Sequence, residues 1–340
     1  MFEQMSALPI AWLAIIGLAI AMYVVLDGFT LGIGILFPFF KGKEDRDVMM
    51  GTASPVWDGN QTWMILAGAG LYGAFPLVYA TVLPALYLPL VLMLLALIFR
   101  GIAFEFRAKS TRYRHMFDMA FSCGAIIATF AEGIVLGGII HGLNVDLDQR
   151  HFAGGVLDWL TPFSVFTGLA LICGYALLGA SWMVVKTEGA IQRRAYNFVR
   201  PLSLLVLLAM AVVAVWTPIH NVQVFERWST VPGAVLMVVL AIIAIALCLS
   251  IISGISKRKE RSIFAKVIGL FLVGLAGLLV SFFPVIIPPY ITIFQAASSE
   301  KSQFFLIVGY LVIIPLVLGY TVYSYYVFRG KVRAENLSHY

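Results

Sequence analysis

Charged side chains are scarce in this sequence of 340 residues: Asp, Glu, Lys and Arg together make up 12% of it, and hydrophobic residues make up 61%. About a quarter of the residues are charged in an average soluble domain. The scarcity excludes an ordinary water-soluble fold and indicates a protein that lies in a lipid bilayer. The N-terminal stretch lacks the basic start and small-residue cleavage site of a secretory signal, so the first apolar run is predicted to stay as a spanning helix.

Cysteine and histidine are both rare. The three cysteines stand singly in apolar segments without CxxC spacing, which is typical of packing residues rather than of a disulfide framework or a metal site. A haem needs an axial ligand such as His, Met, Cys or Tyr inside the helix bundle. None of the five histidines falls in the middle of a predicted span: His115, His141, His151, His220 and His339. The pattern argues against a haem or metal held by this chain alone.

Long apolar runs dominate what remains. At about 20 apolar residues per spanning helix, there are nine candidates, and the break near Pro76 is the hardest to place. They are about Leu8–Phe37, Trp57–Phe75, Val78–Phe106, Met116–Leu143, Thr161–Val185, Phe198–Trp216, Val231–Ile255, Ile263–Ile287 and Phe304–Phe328. Because helices satisfy their own backbone groups in lipid, the predicted fold class is an all-α membrane protein with nine transmembrane helices.

The predicted helices suggest an internal division. Helix one, at about 8–37, stands apart, and the other eight form two sets of four that start on the same side of the membrane. We therefore predict a single integral-membrane domain over residues 1–340, with a first four-helix unit at about 57–185 and a second at about 198–328.

Positive charge lies almost entirely on one side of this predicted bundle. Of the 23 Lys and Arg residues, all but Arg150, Arg227 and Lys301 fall in the loops after helices one, three, five and seven or in the C-terminal tail. Since short cytoplasmic loops retain positive charge, the N-terminus is predicted outside and the C-terminus in the cytoplasm. The net charge of +6 is then a sign of topology, and no nucleic-acid partner is predicted.

The stretch PVWDGNQTW, residues 55–63, places a carboxylate at the predicted start of helix two. Asp58, Gln61 and Thr62 share one helix face, so they form a short polar stripe that faces protein or water. Two roles are open for Asp58. It could cap the helix at the positive end of its dipole, or it could be a titratable group in a proton path, and both could hold together.

Predicted helix four carries a longer polar line. Asp118, Ser122, Thr129 and Glu132 lie near one line along the helix over about 21 Å at 1.5 Å per residue. Glu132 lies near the bilayer centre, where an ionised carboxylate is costly, so we expect it to be protonated or paired. It is either a proton carrier or a protonated group that hydrogen-bonds a neighbouring helix.

Helices one and three add buried charges. Asp27 lies in LDGFTLGIG of helix one, and FRGIAFEFR ends helix three with Arg100 and Arg107. Arg107 is interpreted as a boundary charge that reaches water. Arg100 lies deeper, where an unpaired guanidinium is expensive, so we predict a structural ion pair with Asp27, Asp58 or Asp118.

Several segments together resemble subunit II of the cytochrome bd quinol oxidases: DGFTLGIGIL, WDGNQTW, FPLVYA, LIFRGIAFEFR and FPVIIPPYITIFQAASS, from helix one into helix nine. The resemblance implies a haem-free subunit in the bacterial inner membrane, bound to a subunit I that carries the b-type haems and haem d and oxidises quinol. Such a complex reduces oxygen to water and generates proton-motive force without pumping. Subunit II in that family lines part of a cytoplasmic proton pathway, a role carried over to Asp58 in the matching motif.

The sequence also departs from the family pattern. Thr30 stands where members often have a second Asp after Asp27, and FAEGIVLGGIIHG is closer to the cyanide-insensitive branch, which makes Glu132 a branch-specific carboxylate. In that branch haem b can replace haem d, which subunit I decides. The family also allows a small single-helix accessory subunit and bound membrane lipids.

The predicted proton-path residues are thus Asp58, Glu132, Asp118, Asp27, Gln61, Thr62, Ser122 and Thr129, with Arg100 in the structural ion pair. Two alternatives remain open. Midplane carboxylates and glycine-interrupted helices also suit a secondary transporter, although the odd helix number and the nearly apolar second half count against it. A purely structural subunit, whose acids carry no chemistry, is the other.

Overall fold

The computed structural model describes residues 7–146, 151–333 and 335, so Arg150 and His339 lie outside the described residues. Thirteen α-helices follow one another in the described segments: α1 Ala7–Leu36, α2 Lys43–Ala53, α3 Trp57–Ala74, α4 Pro76–Ala85, α5 Tyr87–Phe106, α6 Arg114–His141, α7 Pro162–Lys186, α8 Gly189–His220, α9 Val222–Ser229, α10 Val231–Ser256, α11 Glu260–Phe282, α12 Ile293–Ala296 and α13 Glu300–Val327. Two short antiparallel hairpins pair β1 Val145–Asp146 with β2 His151–Phe152, and β3 Val285–Ile287 with β4 Ile291–Thr292.

The prediction of an all-helical membrane protein is confirmed. Within the described segments, eight helices are long and apolar enough to cross a bilayer, and a ninth span results if α3 and α4, which meet at an angle of 118°, are counted as one. The bend has a local cause, because Pro76 begins α4 and a proline keeps the residue before it out of the helical region. Phe75 accordingly has φ −129° and ψ 63°.

Three predicted boundaries were wrong. The sixth predicted span began at Phe198, but α8 begins at Gly189. The third predicted span, Val78–Phe106, is divided between α4 and α5 by a break at Leu86, so the spanning helix begins only at Tyr87. The eighth predicted span continued to Ile287, but α11 ends at Phe282 and the chain turns into β3. Pro284 follows that end closely, and proline cannot continue the hydrogen-bond ladder of a helix.

Helices α1, α5, α6 and α7 form the packed centre of the chain. Helix α5 packs on α6, α6 on α7, and α7 on α1, while α3 lies against α1 and is flanked by α13. The crossing of α1 and α7 requires glycine on both helices. A Cβ on Gly32 would lie 1.8 Å from the carbonyl oxygen of Tyr175, and a Cβ on Gly179 would lie 2.4 Å from the carbonyl carbon of Gly32. Small residues permit this close approach of two membrane helices.

The remaining spans are attached to this centre through α7, which also contacts α8 and α11, and α10 packs on both of those helices. Helix α7 is the most buried of the candidate spans and α13 the least. The division into two four-helix units and the outward position of the N-terminus stay predictions.

Candidate functional site

A fully buried ion pair joins α1 to α5. Arg100 Nη1 donates to Asp27 Oδ1 at 2.9 Å, and Thr30 Oγ1 donates to the same carboxylate oxygen at 2.5 Å while it accepts from Nη1 at 3.1 Å. All three side chains are inaccessible to solvent. Of the three predicted partners of Arg100, Asp27 is therefore the one observed. Removing one member of such a pair leaves an uncompensated buried charge, at a cost of about 3–5 kcal/mol.

Glu132 lies beside this pair but is held differently. Tyr23 Oη from α1 donates to Glu132 Oε1 at 2.6 Å, and Tyr175 Oη from α7 donates to Oε2 at 3.0 Å. No ion pair in the described residues includes Glu132, although Asp27 and Arg100 act on it electrostatically. The sequence did not single out either tyrosine. The only available signal was that Tyr23 lies one helical turn before Asp27, so both face the same way.

Asp118, at the other end of the polar line, belongs to an ion-pair network. Arg107 Nε donates to Asp118 Oδ1, and Arg46 Nη1 lies 2.9 Å from Oδ2. Arg107 also lies 2.7 Å from Asp47, which in turn pairs with Arg114. The interpretation of Arg107 as a boundary charge that reaches water was wrong, because its side chain is only 4% exposed and pairs with Asp47 of α2 and with Asp118 of α6.

The two residues between these ends, Ser122 and Thr129, are buried on α6. The predicted polar line thus faces protein over most of its length. Among the described residues, no hydrogen bond joins any of the four side chains of this line to another.

Asp58 is the second residue of α3 and does not cap the helix. Val56 occupies the N-cap position, and no side chain makes a capping hydrogen bond there, so the capping interpretation was wrong. Asp58 is exposed, and it takes part in none of the ion pairs found among the described residues. Gln61 and Thr62 are half-buried beside it. The carboxylate lies in the first turn of α3, at the positive end of the helix dipole.

The turn that carries Asp58 is clamped by its neighbours. Asn60 is buried; its Nδ2 donates to the carbonyl of Leu26 in α1 at 2.8 Å, and its Oδ1 accepts from Tyr325 Oη of α13 at 3.0 Å. Trp57 stacks on Phe104 of α5 with ring centroids 5.1 Å apart. The motif residues Trp57 and Asn60 thus attach the first turn of α3 to α1, α5 and α13, while the side chain of Asp58 stays exposed.

Metal-ligating side chains are scattered among the described residues. They contain no group of three or more His, Cys, Asp or Glu side chains that could hold a metal. His115, His151 and His220 are exposed, and His141 is half-buried at the end of α6. A cavity of about 170 Å³ between α1, α6 and α11 has an apolar lining without a histidine.

A family model described as cytochrome bd terminal oxidase subunit II matches residues 8–328. The chain is 25% identical to cytochrome bd-I ubiquinol oxidase subunit 2 of Escherichia coli strain K12, over 98% of this chain and 97% of that protein. It is 27% identical to cytochrome bd ubiquinol oxidase subunit 2 of Bacillus subtilis strain 168, over 96% of this chain and 98% of that protein. A chain in the structure of bd oxidase from Geobacillus thermodenitrificans has the same fold, with a TM-score of 0.80 at 17% identity, covering 95% of this chain and 99% of that one.

Proposed function

Because this chain belongs to the cytochrome bd terminal oxidase subunit II family, we propose that it conducts cytoplasmic protons to the haem-bearing subunit I of a quinol oxidase, with Asp58 as the group that accepts them. The family makes the chain a multi-pass protein of the inner membrane and one subunit of a terminal oxidase complex. The secondary-transporter alternative is set aside for that reason.

The observation that carries the proposal is the free state of Asp58. Asp27, Asp47 and Asp118 each pair with an arginine, whereas Asp58, like the exposed Glu44, pairs with none in the described part of the chain; unlike Glu44, Asp58 lies in a turn that is held by α1, α5 and α13. A carboxylate without a bound cation can gain and lose a proton without breaking a salt bridge.

The direction of Asp58 supports a partner protein beside it. Further along the exposed face of α3 lie Ile65 and Tyr72, 67% and 64% exposed. A face of this kind meets either lipid or protein in a membrane, and a charged side chain is costly against lipid. The face that carries Asp58 therefore fits best against subunit I.

Glu132 serves in this proposal as a second, internal proton-accepting group. Asp27 already neutralises Arg100, so an ionised Glu132 would add a net negative charge inside the bundle, and we expect the neutral acid at rest. Asp27 and Asp118 then act as fixed charges within the path, Asp27 held by Arg100 and Asp118 held by Arg107 and Arg46. The uncharged polar residues along the path are Gln61, Thr62, Ser122 and Thr129.

The haems and the quinol chemistry belong to subunit I in this proposal. No histidine among the described residues is buried, which supports haem b and haem d, or haem b in its place, in the partner. The predicted orientation, with the N-terminus outside, gives Asp58 a cytoplasmic position. A single-helix accessory subunit and bound lipids would complete the complex.

Asp58→Asn in the purified two-subunit complex tests the proposal. The variant keeps the size of the side chain and has no helix cap to lose, so normal haem content is expected. Quinol-driven oxygen consumption should fall by at least about tenfold, because proton-transferring groups contribute about 10²–10⁴ in rate.

Glu44→Gln is the matched control, since Glu44 is an exposed acid on the same predicted side and forms no ion pair within the described residues. It should leave turnover unchanged. Wild-type turnover in a fully assembled Asp58→Asn complex would refute the role of Asp58.

A further inference from the structure

The segment that follows α13 is fastened to the end of α7. We call residues 328–333 the C-terminal strap. Lys186 Nζ donates to the carbonyl oxygens of Phe328 and, at 3.2 Å, of Gly330. In return, the backbone N–H of Val332 donates to the carbonyl of Lys186 at 2.8 Å. Val332 is buried and packs with the main hydrophobic core, so the strap is an integral part of the fold.

Lys186 acts as a helix cap supplied from a different helix. It is the last residue of α7, it is only 6% exposed, and no described carboxylate lies within ion-pair distance of it. Its ammonium group lies 5.1 Å from the centre of the Trp182 ring. The carbonyls that accept its protons are those at and after the C-terminus of α13, where a helix leaves carbonyls free and favours a cation.

The strap is connected to the turn that carries Asp58. Tyr325, three residues before the strap, bonds Asn60 at 3.0 Å, and Asn60 lies two residues after Asp58. Lys186 and Val332 also line one small cavity, of about 10 Å³, together with Val56, the N-cap residue of α3. The cavity is about the size of one water molecule, so strap and turn are packed almost directly on each other.

Helix α13 is the span that most needs such a fastening. It is the least buried of the candidate spans, and few side-chain hydrogen bonds hold it to its neighbours, among them that from Tyr310 to the carbonyl of Leu66 in α3. If its C-terminal end moves, Tyr325 moves with it, and Asn60 Oδ1 loses the hydroxyl donor that helps to orient the first turn of α3.

We propose that Lys186 is a positioning residue for proton uptake: it fixes the end of α13, and through Tyr325 and Asn60 it keeps Asp58 directed outward. The inference rests on the proposed role of Asp58. It adds that the direction of the carboxylate is set by the cytoplasmic tail of the same chain.

A double-mutant cycle in the purified two-subunit complex tests this inference, using Lys186→Gln, Asp58→Asn and both together. Lys186→Gln should lower kcat for oxygen consumption about fivefold, the factor that corresponds to about one net hydrogen bond. Haem content and the KM for quinol should not change. In the Asp58→Asn background the second substitution should cause no further loss, because the path that it adjusts is already closed.

Two controls separate positioning from general structure. Lys186→Arg retains a cation that can donate to two carbonyls, and it should restore turnover to near the wild-type value. Arg333→Gln removes an exposed ion pair between the strap and Glu188 and should have no effect. If Lys186→Gln fails to assemble, Tyr325→Phe takes its place in the cycle, since it removes only the hydroxyl group that reaches Asn60.

Normal turnover of an assembled Lys186→Gln complex would overturn the inference, and so would losses that multiply in the double variant. In both cases a slow Asp58→Asn complex would leave the proposed function intact. A normal Asp58→Asn complex together with a slow Lys186→Gln complex would refute both, because Lys186 would then act elsewhere.

Discussion

Asp27 of α1 and Glu132 of α6 both lie in the packed centre of the chain, but their carboxylates have different kinds of partner. Asp27 faces a guanidinium at 2.9 Å, whereas Glu132 accepts hydrogen bonds from two phenol hydroxyls. A carboxylate that is paired with a cation stays ionised, because protonation would break the ion pair. A carboxylate between neutral hydroxyl groups can exist in either protonation state with its partners in place, as a proton carrier must.

Glu132→Gln follows from this contrast. The amide has nearly the shape of the neutral acid and can bond both tyrosines, but it cannot release a proton. We expect normal assembly and haem content, with the loss of a large part of oxygen consumption and of proton uptake, both measured on one reconstituted sample. Glu226→Gln, an exposed acid on α9, is the control and should behave as wild type. If Glu132→Gln left the rates of oxygen consumption and proton uptake unchanged, Glu132 would have only a helix-packing role.

The sequence identified the charged members of the site but not their pairing. Asp27, Arg100 and Glu132 stand out because ionisable residues are rare in apolar helices. The partner of Arg100 depends on how α1 and α5 are rotated about their axes, which hydropathy does not contain. Tyr175 is not marked by any sequence feature, and Tyr23 only by its position one helical turn before Asp27, because a tyrosine is an ordinary residue in a membrane helix.

At the scale of elements, the contact between α1 and α7 decides the geometry around Glu132. Gly32→Ala would drive a methyl group into the backbone oxygen of Tyr175, so α7 must shift and carry the tyrosine hydroxyl away from Glu132. Overpacking of this kind costs about 1–3 kcal/mol. We expect a lower thermal midpoint for the purified complex and slower oxygen consumption. Gly17→Ala, also in α1 but with no atom within 4 Å of the added carbon, should change neither, and an equal effect of the two would disprove the account.

The number of spans was predictable, but their directions were not. Windows of apolar residues find segments long enough to cross a bilayer, and the count of nine agrees with the structure when α3 and α4 are taken together. The same windows do not register the 118° bend between those helices, because hydropathy is a sum over residues and contains no angle. Helix α2 was missed for a related reason: its 11 residues are too short and polar for any span, yet its Asp47 pairs with Arg107.

At the scale of the whole molecule, the distribution of positive charge predicts which end faces the cytoplasm. Val156→Cys and Ser256→Cys, each in a chain whose native cysteines are replaced by serine, place one thiol on each predicted side at exposed positions. An impermeant thiol reagent added to intact cells should label position 156 and spare position 256. The reverse pattern would invert the topology and remove Asp58 from the cytoplasmic side.

The buried ion pair has a consequence for the synthesis and membrane insertion of the protein. Asp27 and Arg100 are 73 residues apart along the chain, and ribosomes add about 5–20 residues per second. For roughly 4–15 s after Asp27 is made, the guanidinium that will neutralise it does not exist. During that interval α1 must either stay beside the insertion machinery or enter the lipid with its acid protonated. A nascent chain interrupted before α5 therefore leaves a first helix whose acid has no cationic partner, so its insertion into the bilayer is unfavourable unless the acid is protonated.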